Sequence, residues 1–178
     1  MNAIAALALL QQAPVHGAGP GPQPAQVAVA QNPYKCHLEE AYRLMQGENA
    51  NFPQAMVVLH LIGWSAPQNI RNEADLARGI MHYRGDPAHG FNRNYGDALL
   101  PLRSAADDED SFITTQRNAQ LLIGLIFKDG QDEIGFNRDP DVARDYLLLA
   151  AQPAEGVPAS VTQQALNALA EIDENENG

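Results

Sequence analysis

Histidine, cysteine and clustered carboxylates are the side chains of this chain that are suited to metal binding or acid–base chemistry. The histidines are His16, His37, His60, His82 and His89. No two of them form the His-Glu-x-x-His pair that holds zinc on one helix face, and the single cysteine, Cys36, has no second thiol to complete a zinc site. These spacings indicate neither a metal site nor a catalytic site. We therefore predict a protein that is not an enzyme and uses no cofactor and no metal.

The acidic runs and the glycine pairs point to no other chemistry. Asp107–Asp110 is typical of solvated charges at the start of a helix. The acidic residues of 129–133 and 139–141 lack the regular carboxylate spacing of a calcium loop. The chain has neither a Gly-Lys-Ser/Thr phosphate loop nor a Gly-x-Ser-x-Gly nucleophile turn.

Composition restricts the kind of partner. The chain of 178 residues has 22 acidic and 11 basic residues, a net charge of −11. This excess repels nucleic-acid phosphates and anionic membrane surfaces. Alanine and leucine supply much of the apolar content, which favours helices over sheets. We expect an all-α protein that binds another protein or peptide, with no nucleic-acid partner and no stable membrane insertion; its oligomeric state stays open.

An internal repeat indicates the architecture. When residues 74–106 are shifted by 45 positions they fall on residues 119–151 without a gap, and 12 of the 33 positions are identical. Chance would give roughly two or three matches. A duplicated helix–loop–helix unit is the better explanation.

Cap residues set the predicted helix ends in each unit. Gly130 follows the first helix. A helix often ends in a residue with positive φ, which glycine adopts without strain because it has no side chain. Asp139 is placed to cap the second helix, with Pro140 at its first position, and Asn94 takes the same role in the preceding copy. Upstream, the pattern of Ser65, Pro67 and Gln68 predicts a capping box at the start of another helix.

The remaining pattern predicts close helix pairs and about seven helices. A glycine inside a helix costs about 1 kcal/mol relative to alanine. Gly79 and Gly124 share one register, so we expect them to let paired helices approach closely. Residues 51–55 resemble 94–98 and indicate a degenerate first copy. Ser160–Ile172 predicts a final helix, capped by Ser160, that closes the end of the array.

This pattern resembles the Sel-like repeat family, a relative of the tetratricopeptide repeats. The matching positions are Ala74, Gly79, Gly85, Asn94, Ala98, Ala105, Ala106, Ala119, Gly124, Gly130, Asp139, Ala143, Ala150 and Ala151. The resemblance implies a right-handed α/α superhelical solenoid of about three helix-hairpin repeats plus a C-terminal capping helix, with the first helices lining a concave face. It also implies an adaptor or scaffold role, often in bacterial envelope or signalling contexts.

Two residues depart from the repeat and define the candidate site. Arg78 stands where the other copy has Ile123, and His82 where it has Phe127. One interpretation is that Arg78 lies at a groove edge and pairs with a nearby carboxylate. The other is that Arg78, His82, Tyr83 and Arg84 form a partner-binding surface, since arginine and tyrosine are favoured interface anchors. A small-molecule or enzymatic pocket near Arg78 and His82, or a self-assembling envelope component, are the alternative functions.

The chain divides into three predicted segments. Residues 1–32 are a leader or disordered Pro/Gly/Ala-rich segment, 33–173 the helical repeat domain, and 174–178 an acidic polar tail. The apolar octet 3–10 has about the length of a signal-peptide core, but no basic residue precedes it. We expect a periplasmic or secreted protein if residues 1–30 include an export leader, and a cytoplasmic one otherwise.

Overall fold

The computed structural model describes residues 32–47 and 49–176. Within these ranges it contains seven α-helices and no strand, which confirms the all-α prediction. The predicted segment 1–32 lies outside the described residues, apart from Asn32. The helices are α1 (Pro33–Leu44), α2 (Phe52–His60), α3 (Gln68–Arg84), α4 (Tyr95–Asp107), α5 (Ile113–Asp129), α6 (Pro140–Ala150) and α7 (Ala159–Glu176).

The helices pack as successive hairpins. α1 pairs with α2, α3 with α4 and α5 with α6, while α7 packs against both α5 and α6. The first helices also contact one another in order, α1 with α3, α3 with α5 and α5 with α7. α2, α4 and α6 contact one another at most marginally. One layer of helices therefore runs through the described chain, with a second helix added to each of its first three members.

Three apolar clusters fill the spaces between these helices. The first joins α1 and α2 to Ala74, Ala77 and Met81 of α3. The second lies between the α3–α4 hairpin and α5, and the third joins α5, α6 and α7. The alanines predicted as repeat positions are buried, apart from the partly buried Ala151.

The two helical glycines lie where paired helices come closest. A Cβ on Gly79 would lie 2.4 Å from the Leu102 side chain of α4. A Cβ on Gly124 would lie 2.6 Å from the Leu147 side chain of α6. Contacts this short are not tolerated, so the glycines permit both hairpins to close, as the sequence predicts.

The caps predicted at Asn94 and Asp139 are present, and Asn51 provides a third that was not predicted. Asn51 Oδ1 accepts a hydrogen bond from the third amide of α2 at 3.0 Å. Asn94 Oδ1 does the same for α4 at 3.1 Å, and Asp139 Oδ1 for α6 at 3.1 Å. All three copies thus begin their second helix with the same device.

The predicted starts of two first helices are wrong. α3 begins at Gln68 with Pro67 as its cap residue and no side-chain cap. Ser65 Oγ instead lies 2.8 Å from the Tyr34 hydroxyl, and Gln68 Nε2 donates to Asn72 and Asp108. Tertiary partners displaced the local capping box. Likewise α7 begins at Ala159, so the hydroxyl of Ser160 does not occupy the cap position.

The C-terminal boundary also differs from the prediction. α7 continues to Glu176, so residues 174–176 are helical rather than part of a separate polar tail. The amide of Asn175 donates to the Glu171 carbonyl at 2.7 Å and supports this last turn. Among the described residues, no helix is long and apolar enough to cross a membrane.

Candidate functional site

Arg78 has its partners inside the chain. Its Nη1 lies 2.5 Å from Asp75 Oδ1, one turn back on α3, and its Nη2 donates to the Leu59 carbonyl at 2.9 Å. Leu59 is in the last turn of α2, where its carbonyl also accepts from the Ile62 amide at 3.1 Å and where a cation is favoured. The structure thus has the carboxylate-paired arrangement that the sequence offered as one interpretation of Arg78.

Arg84 performs the same task at the end of α1. Its Nη1 donates to the carbonyl of Met45, the C-cap residue of α1, at 3.3 Å. Its guanidinium lies 5.2 Å from the centre of the Phe52 ring. Burial lowers the pKa of Arg84, and the nearby Asp86 carboxylate opposes that shift. Arg78 and Arg84 therefore both attach the α1–α2 hairpin to α3.

His82 and Tyr83 face different neighbours. The His82 ring lies 5.0 Å from the Phe91 ring, and Phe91 meets Phe52 of α2 edge-on at 6.0 Å. Burial lowers the pKa of His82, with Asp97 acting in the opposite direction. Tyr83 instead stacks on Tyr95 of α4 at 5.4 Å, and burial raises the pKa of its hydroxyl. The four predicted residues thus divide between two sides of α3.

The two long loops share one backbone conformation. Residues 86 and 91 pair through two backbone hydrogen bonds of 2.5 and 2.9 Å, and residues 131 and 136 through bonds of 2.7 and 3.0 Å. Each loop contains a short 3₁₀ turn, Pro87–His89 or Asp132–Ile134, followed by a glycine with positive φ. The repeat therefore includes the loops, which fold alike in both copies.

Each loop caps the second helix of the preceding hairpin. Asp86 Oδ2 accepts from the buried amide of Phe52, the first residue of α2, at 3.0 Å. Gln131 Oε1 accepts from the buried amide of Tyr95, the first residue of α4, at 2.8 Å. The next equivalent residue is Pro140, which has no N–H and needs no acceptor. These links were not predicted from the sequence; the signal there is an acceptor side chain at the same loop position, Asp86 and Gln131, with a proline at residue 140 where no acceptor is needed.

The side chain that links loop 85–94 to α2, the Asp86 carboxyl, is ionised. Burial alone would raise the pKa of the Asp86 carboxyl, but the hydrogen bonds from the Phe52 amide and from the His89 ring hold the pKa below its usual range. His89 Nδ1 lies 2.9 Å from Asp86 Oδ2. The link to α2 is thus a charge-assisted hydrogen bond, whereas Gln131 makes an uncharged one.

We call the contact of the α1–α2 hairpin with α3 and loop 85–94 the first junction. The contact of the α3–α4 hairpin with α5 and loop 130–139 is the second junction. Arg78, His82 and Arg84 of the predicted site belong to the first junction. Their place within the chain accounts for their departure from the repeat pattern.

Three large apolar side chains of the α2 region are exposed to solvent. Val57 is 66% exposed, Leu61 57% and Trp64 91%, and we call these residues the α2 strip. The Arg71 guanidinium lies 5.6 Å from the Trp64 ring centre. Its hydrogen-bond partner is the Gln68 side-chain oxygen, and no described carboxylate pairs with it. Trp64, the single tryptophan of the chain, was not among the site residues predicted from the sequence.

The described residues contain no group of three or more histidine, cysteine, aspartate or glutamate side chains placed to hold a metal ion.

Comparisons with family models, with curated proteins and with solved structures found no match to this chain.

Proposed function

We propose that this chain is a protein-binding adaptor or scaffold made of Sel-like, tetratricopeptide-like hairpin repeats, and that it acts by binding rather than by catalysis. The duplicated sequence, the duplicated loops and the repeated caps support this proposal. The ordered contacts among α1, α3, α5 and α7, with little contact among α2, α4 and α6, support a curved solenoid with the first helices on its inner side.

The exposure of Trp64 carries the proposal. A tryptophan that is 91% exposed leaves a large apolar surface in water, and tryptophan and arginine are the residues that most often anchor protein interfaces. Val57 on α2 and Leu61, the C-cap residue of α2, are further exposed apolar side chains in the same stretch of chain. We infer that the α2 strip is the partner-binding surface, with Arg71 beside it.

Charge distribution indicates the chemistry of the partner. Residues 32–105 have seven basic and seven acidic residues, whereas residues 106–178 have four basic and fifteen acidic. The whole negative excess thus lies in the second half, away from Arg71 in the sequence. A protein segment that presents an apolar side chain to Trp64 and a carboxylate to Arg71 would meet no net repulsion from the first half.

Site-specific photocrosslinking tests this proposal in the cells that make the protein. A photoreactive phenylalanine at Leu61 should form a covalent adduct with one defined protein. The matched control is the same substitution at Leu100, which is 80% exposed on α4 and lies outside the α2 strip. Adducts of equal yield and identity from both positions would contradict the proposed surface.

The identified partner is then measured against purified variants. Trp64→Ala should weaken binding by about 30-fold or more, the size expected for a tryptophan anchor. Leu100→Ser should leave affinity unchanged. Because Trp64 is exposed, its replacement should not alter the melting temperature, and retained affinity in the Trp64 variant would refute the binding surface.

A further inference from the structure

The first junction depends on ionisable side chains in a way that the second does not. Asp86 receives hydrogen bonds from α2 and from His89, and the charged group that faces it from α3 is Arg84. The His82 ring lies 5.0 Å from the Phe91 ring, and Phe91 in turn meets Phe52 of α2. The charged group acting on His82 is Asp97, from the first turn of α4.

The equivalent positions of the second junction do not titrate. Gln131 replaces Asp86, Phe127 replaces His82, and Ile134 replaces His89. Both junctions have the same loop backbone and the same placement of the acceptor on the preceding helix. Three positions that are ionisable at the first junction, residues 82, 86 and 89, thus have uncharged counterparts at the second, residues 127, 131 and 134.

We propose that the α1–α2 hairpin undocks from α3 when the pH falls, while the second junction stays closed. Undocking would uncover the apolar face of α3 that carries Ala74, Ala77 and Met81. It would also move the α2 strip relative to the other hairpins. The opening is a local event of the kind that occurs below the free energy of global unfolding.

His82 controls the first step. Because burial lowers its pKa in the docked state, His82 takes up a proton more readily once it is hydrated. The stability that neutral His82 gives to docking is present above its ordinary pKa of about 6.5 and is lost as the pH falls toward the docked-state value.

Asp86 controls the second step. Its pKa is lowered in the docked state, so its contribution is present above the ordinary aspartate pKa of about 3.9 and is lost as the pH falls through the docked-state value. Protonation weakens an acceptor that now serves both the Phe52 amide and the His89 ring. Release should therefore begin in mild acid and be completed in strong acid, against an opposing change at Glu73 of α3, whose pKa burial raises and whose contribution to stability is therefore larger in acid.

Hydrogen exchange of the full chain, measured by mass spectrometry between about pH 7.5 and 3.5 and corrected for the intrinsic rate, tests the proposal. Protection of residues 33–60 should fall by about threefold or more relative to residues 113–150. An equal loss in both regions would overturn the proposal.

Substitutions that copy the second junction provide the decisive comparison. His82→Phe should abolish the loss of protection that begins near pH 6.5, and Asp86→Gln should abolish the loss below about pH 4. His60→Phe is the control, since His60 is exposed on α2 and lies outside the junction contacts. The wild-type pH profile in both the His82 and the Asp86 variant would overturn the assignment, and so would a flattened profile in the His60 variant.

Discussion

The first and second junctions join their hairpins with the same backbone and with different chemistry. In both, a loop closed by a pair of backbone hydrogen bonds places one side-chain oxygen on the first amide of the preceding second helix. The side chains around that link differ. The register pairs, first junction before second, are Arg78/Ile123, His82/Phe127, Asp86/Gln131 and His89/Ile134.

This difference shows which parts of the repeat the fold requires. The acceptor is required at residues 86 and 131 because the amide opposite is buried, but it functions as a carboxylate or as an amide. The glycines and the Phe-Asn-Arg run that shape the loops are identical in both copies. Geometry is thus retained while charge is free to vary.

The two junctions also hold their apolar surfaces differently. In the first, Arg78 and Arg84 reach across to carbonyls at the ends of α2 and α1. In the second, Ile123 is fully buried and Phe127 packs against the same apolar cluster. The first junction therefore combines apolar packing with charged hydrogen bonds, and the second relies more on packing.

Exchanging one residue between the junctions should have the largest effect. Ile123→Arg places a guanidinium at a fully buried site. In the first junction Asp75 pairs with the arginine, but the residue at the equivalent position of α5 is the uncharged Gln120. We expect a loss of about 3–5 kcal/mol in the free energy of unfolding, because a buried charge without a counter-ion is strongly destabilising. Urea denaturation followed by circular dichroism measures it.

A second substitution tests whether a paired carboxylate is what allows the first junction to hold its arginine. Gln120→Asp in the Ile123→Arg background recreates the spacing of Asp75 and Arg78 one turn apart, and should recover a measurable part of the loss. Gln120→Asp alone, in the native background, is the control and should destabilise. Additive losses in the double variant would show that the pairing does not explain how the first junction accommodates its arginine.

Removing the acceptor should destabilise both junctions to a similar, smaller extent. Asp86→Ala and Gln131→Ala each leave a buried helix amide without a partner, at a cost of about 1–3 kcal/mol. Asp86→Asn, which keeps an acceptor oxygen, should lose less than Asp86→Ala. Thermal unfolding at neutral pH measures all three, and an unchanged melting temperature in either alanine variant would contradict the capping role.

Local signals in the sequence were sufficient for much of the fold. Asn94 and Asp139 cap the helices that their spacing predicts, and Gly79 and Gly124 lie at the predicted close approaches. These features depend on residues near each other in the chain or on the repeat itself. Repetition made them visible in a single sequence.

Contacts between distant residues were not predictable in this way. Asp86 and Phe52 are 34 positions apart, and no local rule indicates that one caps the other. The capping box at Ser65 failed because Tyr34, 31 positions away, takes the hydroxyl. The predicted site of Arg78, His82, Tyr83 and Arg84 was found from its departures from the repeat, but the chain itself supplies the partners that those departures serve.

The smallest expected effect concerns a charge that lies beside α1. Glu73 is partly buried on α3, and burial raises the pKa of its carboxyl, with Lys35 of α1 opposing the shift; its counterpart in α5 is Asn118. A raised carboxyl pKa contributes stability below the ordinary value of about 4.3, and this contribution is lost as the pH rises through the folded-state value.

Glu73→Gln should therefore stabilise the protein at pH 7, by about 0.5 kcal/mol, and give no gain at about pH 4. Melting temperatures at the two pH values measure the difference, and Asn118→Gln in the second copy is the matched control without a pH-dependent effect. Destabilisation at pH 7 would mean that the attraction of Lys35 outweighs burial. The ionised Glu73 would then join Arg78 and Arg84 among the charges that hold the first hairpin in place.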